Sequence, residues 1–259
     1  MLIKREGIVM KEKRRLYLDI SKGIGMLLVV IGHCVNKDTL LHNWIFSFHM
    51  PLFFCISGYC FRLDKYNSFK NIMVDKAKRL LVPYILFSLL GLFISLLIPR
   101  WRQQVDIQGI LVDIYTGYPK LSHITSTWFL ISLFLCMVIW WTINYLFKNY
   151  LIRIGFIILS GSIGAVISKM HEVVNVVSAS EKTINLPGGR LPLTIDASFT
   201  AFVFFAIGNV LRVNKNNKAL EDKRYHTLLV GMISLGVNIV VSLFLNSRVN
   251  IHGCMEGNT

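Results

Sequence analysis

Seven apolar runs, each close to the length of a bilayer-spanning helix, dominate this 259-residue chain. They cover Leu16–Val35, Trp44–Phe61, Leu80–Ile98, Thr127–Phe147, Leu151–Ser168, Leu193–Leu211 and Thr227–Leu245. The hydrocarbon core of a membrane takes roughly 20 apolar residues of α-helix, and no water is there to satisfy the backbone. The pattern therefore predicts an all-α fold, a polytopic transmembrane helix bundle of about seven spans, over a single membrane domain at residues 1–259. Gly and Pro inside several runs are compatible with this, because membrane helices tolerate both. The first run follows a basic stretch, as a signal peptide's does. It lacks a small-residue cleavage site and six more runs follow it, so it reads as a retained helix.

Charge then orients the bundle. The chain is 54% hydrophobic and only 16% charged, yet its net charge is +14. In a soluble chain such a balance points to nucleic acid. In a chain this apolar it points to basic cytoplasmic loops, and no nucleic-acid partner is expected. With the N-terminus in the cytoplasm and the spans alternating, 19 Lys and Arg fall on the inner side and 8 on the outer side, with Lys22 inside the first run. That bias predicts a multi-pass protein with a cytoplasmic N-terminus. The five cysteines form no C-x-x-C pair and read as small buried hydrophobes.

Candidate function lies where polar groups are expensive. A charge at the bilayer centre costs about 2.5–3.5 kcal/mol on insertion scales. The first run carries Asp19, Lys22 and His33. Lys22 and His33 share a helix face, offset by roughly 20° and separated by about 16 Å along the axis. Asp19 is one turn before Lys22 and can pair with it. Asp19 and Lys22 are either a functional pair or two side chains reaching for the cytoplasmic interface. An imidazole is too short for such reaching, so His33 is a working group or a core histidine held by a neighbouring helix. Leu27, Leu28, Val30 and Ile31 run along the opposite face.

The second run contains His49, near the outer boundary like His33, followed by Pro51, Ser57, Gly58 and Tyr59. Pro51 frees a backbone carbonyl, and Gly58 permits close helix approach. If the first two spans form a hairpin, His33 and His49 face one cavity; otherwise His49 is interfacial. Before the third run, Lys76 and Arg79 stand one turn apart. Such a pair at a membrane surface is either an anion clamp for phosphates or a lipid-headgroup contact and topology signal. The sequence contains no phosphate-binding G-x-x-x-x-G-K-[ST] loop, no H-E-x-x-H zinc motif and no G-x-S-x-G elbow, and no metal is expected.

Several stretches together resemble a known family. Arg15-Leu-Tyr-Leu-Asp19-Ile-Ser-Lys22 running on to Gly32-His33 resembles the opening of the acyltransferase family 3 membrane proteins. Phe48-His-Met-Pro-Leu-Phe-Phe-Cys-Ile-Ser-Gly58-Tyr59 resembles that family's second-helix signature, and Lys76-Ala-Lys-Arg79-Leu-Leu-Val-Pro83-Tyr84 its third-helix start. Thr127-Trp128-Phe129-Leu130, Leu191-Pro192 through Asp196-Ala197, and Phe204-Phe205-Ala-Ile-Gly208 follow in order. The resemblance implies a bacterial inner-membrane acyltransferase that moves an acetyl or similar group from cytoplasmic acetyl-CoA, or another acyl-CoA, to a hydroxyl of a carbohydrate or glycolipid acceptor. The family's Arg-or-Lys, ten residues, His pattern falls on Lys22 and His33, and its third-helix arginine pair on Lys76 and Arg79. Lys76 in place of Arg keeps the charge but lacks the planar fork.

The implied mechanism makes His33 the general base or a transient acyl carrier, since a free imidazole titrates near pH 6.5. Lys76 and Arg79 hold the phosphates of CoA, Lys22 (oriented by Asp19) lines the path between, and His49, Ser57 and Tyr59 shape that path. The family usually has about ten spans, so with seven the domain is expected to be C-terminally incomplete. Intramembrane His, Lys and Asp also suit a proton-coupled transporter or flippase without acyl chemistry, and the shortfall in helices also suits an inactive remnant.

Overall fold

A computed structural model describes residues 16–36, 39–98, 127–180 and 192–214. Among them are seven α-helices and no strand: α1 (Leu16–Cys34), α2 (Leu40–Cys60), α3 (Phe69–Lys76), α4 (Val82–Leu97), α5 (Trp128–Leu146), α6 (Tyr150–Ser180) and α7 (Ile195–Asn214). A π-turn at Ala77–Leu81 joins α3 to α4, so Phe69–Leu97 is one continuous helix of 29 residues. Among the described residues, five helices are long and apolar enough to cross a membrane: α2, α3–α4, α5, the first 18 residues of α6, and α7 up to Arg212. These match the second to sixth apolar runs. The first run is α1, and the seventh, Thr227–Leu245, lies outside the described residues. The chain is thus an all-α polytopic membrane bundle.

Caps explain where the helices begin earlier than the apolar runs do. Thr39 is the N-cap of α2, and its hydroxyl oxygen accepts from the His42 amide at 3.2 Å, so the helix starts four residues before Trp44. Ser68 caps α3 in the same way through the Asn71 amide at 3.3 Å. That cap starts the helix well before the apolar run at Leu80, so Lys76 is already helical and Arg79 falls in the π-turn that continues it. Asn149 accepts from the Leu151 amide at 2.9 Å at the start of α6.

The helices are held by close backbone approach, as expected where lipid removes the hydrophobic drive between helices. α2 and α7 make the most extensive contact in the bundle, followed by α6 with α7, α1 with α2 and α5 with α7. At the α2–α7 crossing, a Cβ on Gly58 would collide with the Phe205 carbonyl, and one on Gly208 with the Cys55 carbonyl. α1 lays Gly25 and Gly32 on Phe53, Ile45 and Phe46 of α2. Ile24, Leu27, Val30 and Ile31 of α1 are exposed, as a lipid-facing stripe is.

The core gathers Phe54, Trp128, Cys136, Trp140, Trp141, Phe202 and Phe205 from α2, α5 and α7. Cys136 follows the expectation of a buried small hydrophobe, whereas Cys34 and Cys60 are exposed at helix ends. Strands of polar contact run through this apolar packing: Ser160 of α6 donates to the Phe199 carbonyl at 2.8 Å, and Trp140 of α5 donates to Asn209 of α7 at 2.8 Å.

Candidate functional site

Two polar centres stand at opposite ends of α2. At its N-terminal end the centre is a ring, Phe46. His42 stacks on it with centroids 4.1 Å apart, His49 meets it edge-on at 4.8 Å, and His33 of α1 meets it edge-on at 5.5 Å. The hairpin of α1 and α2 therefore brings His33 and His49 to one aromatic side chain. Gly32 makes this possible, because a Cβ there would press into the Phe46 ring at 2.9 Å. His49 is buried, and its Nδ1 lies 2.9 Å from the Ile45 carbonyl oxygen. A carbonyl only accepts, so Nδ1 carries the proton of the neutral ring and Nε2 is the basic nitrogen. His33 is exposed at the perimeter of the described helices rather than enclosed by them.

His42 escaped the sequence reading. It is 6% exposed, and its Nδ1 has no hydrogen-bond partner in the structure. The available signal was its spacing: seven residues before His49 is two helical turns, which places both on one face of α2. Along α1, Lys22 is exposed and Asp19 is half-buried. Ser57 and Tyr59 are half-buried near the C-terminal end of α2, away from the histidines.

The second centre begins where α2 ends. Phe61 and Tyr66 lie at either end of the loop that follows α2, their rings nearly parallel with centroids 6.1 Å apart. Lys76 is half-buried and holds its Nζ 5.4 Å from the centre of Phe61 and 5.5 Å from that of Tyr66. This is cation–π geometry. Arg79 is exposed and donates from Nε to Asp75 at 2.9 Å. The sequence placed Lys76 and Arg79 on one helical face. The structure gives them different partners about one hub: Lys76 lies over the Phe61 and Tyr66 rings, whereas Arg79, within the π-turn, reaches back to Asp75.

Asp75 is the hub of this centre. It accepts from the Tyr66 hydroxyl at 2.5 Å and from Arg79, and the Lys65 ammonium is 3.5 Å from it. Burial, and then the hydrogen bond to Asp75, hold the Tyr66 phenol well above its ordinary value, so it remains a donor at any physiological pH. Lys65 also lies 5.2 Å from the Tyr66 ring centre. None of Lys65, Tyr66 or Asp75 was singled out as a site residue in the sequence. Nine residues separate Tyr66 from Asp75, a distance no helical periodicity connects.

The same loop is anchored from α5 and α7. Asn209 donates to the Gly58 carbonyl at 2.9 Å and the Phe61 carbonyl at 2.8 Å. Arg212, one turn on, donates to the Cys60 and Phe61 carbonyls. These are the carbonyls a helix C-terminus leaves unsatisfied, so two side chains of α7 cap α2. Trp141 of α5 donates to the Tyr66 carbonyl at 3.3 Å.

A further polar group sits where α7 begins. Leu193 and Thr194 both have positive φ, 57° and 54°, a conformation that costs a non-glycine residue about 1–3 kcal/mol. Ser198 donates to the Thr194 carbonyl at 2.7 Å and lies 3.0 Å from Ser132 of α5. Thr194 is fully buried, and Asp196 is buried beside it in sequence. Among the described residues there is no group of His, Cys, Asp or Glu arranged to hold a metal ion.

A family model described as an acyltransferase domain matches residues 15–254. No curated protein and no solved structure matches the chain.

Proposed function

This chain belongs to acyltransferase family 3, and on that premise we propose that it moves an acetyl or other acyl group from cytoplasmic acyl-CoA to a hydroxyl of a cell-surface or exported carbohydrate. In this reading it lies in the inner membrane of a bacterial cell with the N-terminus in the cytoplasm, an orientation supported by the excess of Lys and Arg on that side. The observation that carries this reading is the pairing of two unlike centres by one helix: imidazoles about Phe46, cations about Tyr66. The helical rise puts Phe46 about 22 Å from Phe61 along α2. An extended pantetheine arm with its pyrophosphate suits such a span, with phosphates at the cations and thioester towards the imidazoles.

In this scheme Lys76 and Arg79 take the phosphates, Lys22 with Asp19 lines the path along α1, and Ser57, Tyr59 and His49 shape it. His33 accepts the proton of the acceptor hydroxyl as its oxygen attacks the thioester carbonyl. The new C–O bond forms, the C–S bond breaks, and the departing sulfur takes the proton back from the imidazole. The alternative in which His33 carries the acyl group divides the same transfer into two steps.

Mass spectrometry of surface glycans from cells with and without the gene tests the proposal. Loss of an ester-linked acyl group in the deletion strain, restored by the gene, supports it. Unchanged glycans, with ion-gradient-driven flux that needs no CoA, would replace it with a transporter.

A further inference from the structure

The cation centre contains more than the pair expected from sequence. Asp75 occupies the point on which Lys65 and Arg79 converge, and the Tyr66 hydroxyl donates to it from the aromatic platform that also carries Lys76. Three cations from two separate segments, the loop after α2 and the start of the third membrane helix, thus surround one carboxylate and one phenol. Lys65 and Arg79 are largely exposed, with side-chain exposures of 51% and 66%, so a ligand reaches them from the aqueous side. Lys76 is half-buried on its two rings and keeps only part of its hydration.

We propose that Lys65 is a third phosphate-binding cation of the acyl-CoA site, and that Asp75 is its resident counter-ion, holding Lys65 and Arg79 in place until the phosphates of the donor displace it. The proposal rests on the acyl-CoA reading above and adds to it a third cation and the carboxylate that neutralises the site before the donor arrives. One carboxylate supplies a single negative charge, whereas a pyrophosphate and a ribose phosphate supply several. A polyphosphate therefore competes for three cations better than Asp75 does.

Two effects oppose each other when Asp75 is neutralised. Loss of its ion pairs loosens Lys65 and Arg79, but exposed pairs of this kind contribute little. Loss of its negative charge removes repulsion of the incoming phosphates at short range, which is the larger effect. An asparagine still accepts from the Tyr66 hydroxyl, so the platform persists.

Binding of CoA to the purified full chain in detergent micelles, measured by isothermal titration at low salt, tests this without knowledge of the acceptor. Lys65→Gln should raise the Kd for CoA about three- to tenfold, and Asp75→Asn should lower it about threefold, the scale of one charge at a partly exposed site. The Kd for 3′-dephospho-CoA should shift less in both variants. Unchanged CoA affinity in Lys65→Gln, or weaker affinity in Asp75→Asn, would overturn the proposal. If Lys76→Ala with Arg79→Ala weakens CoA while Lys65→Gln does not, the added residues fail and the acyl-CoA reading stands. If the unaltered chain binds no CoA, that reading fails with them.

Discussion

Replacing Asn209 by leucine probes the packing that joins the two halves of the site. Asn209 is 2% exposed and uses its amide three ways: Oδ1 accepts from Trp140, and Nδ2 donates to the Gly58 and Phe61 carbonyls. Leucine has the same branched skeleton, is somewhat bulkier, and makes none of these bonds. The Gly58 carbonyl keeps the Phe61 amide at 3.1 Å, and the Phe61 carbonyl keeps Arg212 at 3.2 Å. Each of these therefore loses only a supplementary bond, on the scale of about 0.6 kcal/mol for an interhelical polar contact in a membrane. The Trp140 indole, itself 2% exposed, loses its acceptor, and a buried donor left unmet costs about 1–3 kcal/mol. The sum is about 2–4 kcal/mol. The added apolar surface offsets little of it, because lipid solvates leucine as well as the bundle does. Reversible unfolding of the purified chain in mixed micelles reads the loss directly, and a double-mutant cycle with Trp140→Phe isolates the indole bond. A change below about 0.5 kcal/mol, or strict additivity of the two substitutions, would refute the assignment of Asn209 as the clamp between α2, α5 and α7.

Other outcomes follow from the same geometry. Gly58→Ala and Gly208→Ala each drive a methyl group into a backbone carbonyl of the opposite helix, so each should destabilise by about 3 kcal/mol, the upper end of the overpacking scale; the monodisperse fraction in size-exclusion chromatography should collapse, and a normal profile would contradict the crossing. His33→Ala should abolish acyl transfer in isolated membranes at normal expression, and retained transfer would remove it as base or carrier. Lys76→Ala with Arg79→Ala should raise the KM for acyl-CoA about tenfold or more with kcat little changed, and an unchanged KM would remove them from donor binding. Phe46→Leu, which takes away the ring shared by three histidines, should lower kcat several-fold, with circular dichroism unchanged.

Much of the fold was legible because membrane helices are written as composition. The runs at Trp44–Phe61, Leu80–Ile98, Thr127–Phe147, Leu151–Ser168 and Leu193–Leu211 each correspond to a helix able to span. Boundaries were less legible, because Thr39 and Ser68 extend helices through caps that hydropathy does not register. Of the candidate site, the hairpin that unites His33 with His49 was foreseeable from their common depth. The aromatic ring between them was not, since Phe46 is one phenylalanine among many. Lys76 and Arg79 were visible as a pair, but the separate partner each takes, two rings for Lys76 and Asp75 for Arg79, was hidden. A π-turn breaks the periodicity on which the face argument rests.

Tertiary polar contacts were the least legible. Asn209 sits in an apolar run, and its partners Gly58 and Phe61 are about 150 residues away in sequence. Nothing local marks it beyond an amide where an amide is costly. Tyr66 and Asp75 meet through the loop after α2, which Trp141 holds at the Tyr66 carbonyl and Arg212 at the Cys60 and Phe61 carbonyls.

Acyl transfer itself is the most direct test of the central claim. Membranes containing the full chain, given radiolabelled acetyl-CoA on the cytoplasmic side and native surface glycans as acceptor, should place label in an alkali-labile glycan ester. The label should vanish in His33→Ala. Label absent from the glycan in membranes that hold the folded chain, or present and undiminished in His33→Ala, would contradict the account.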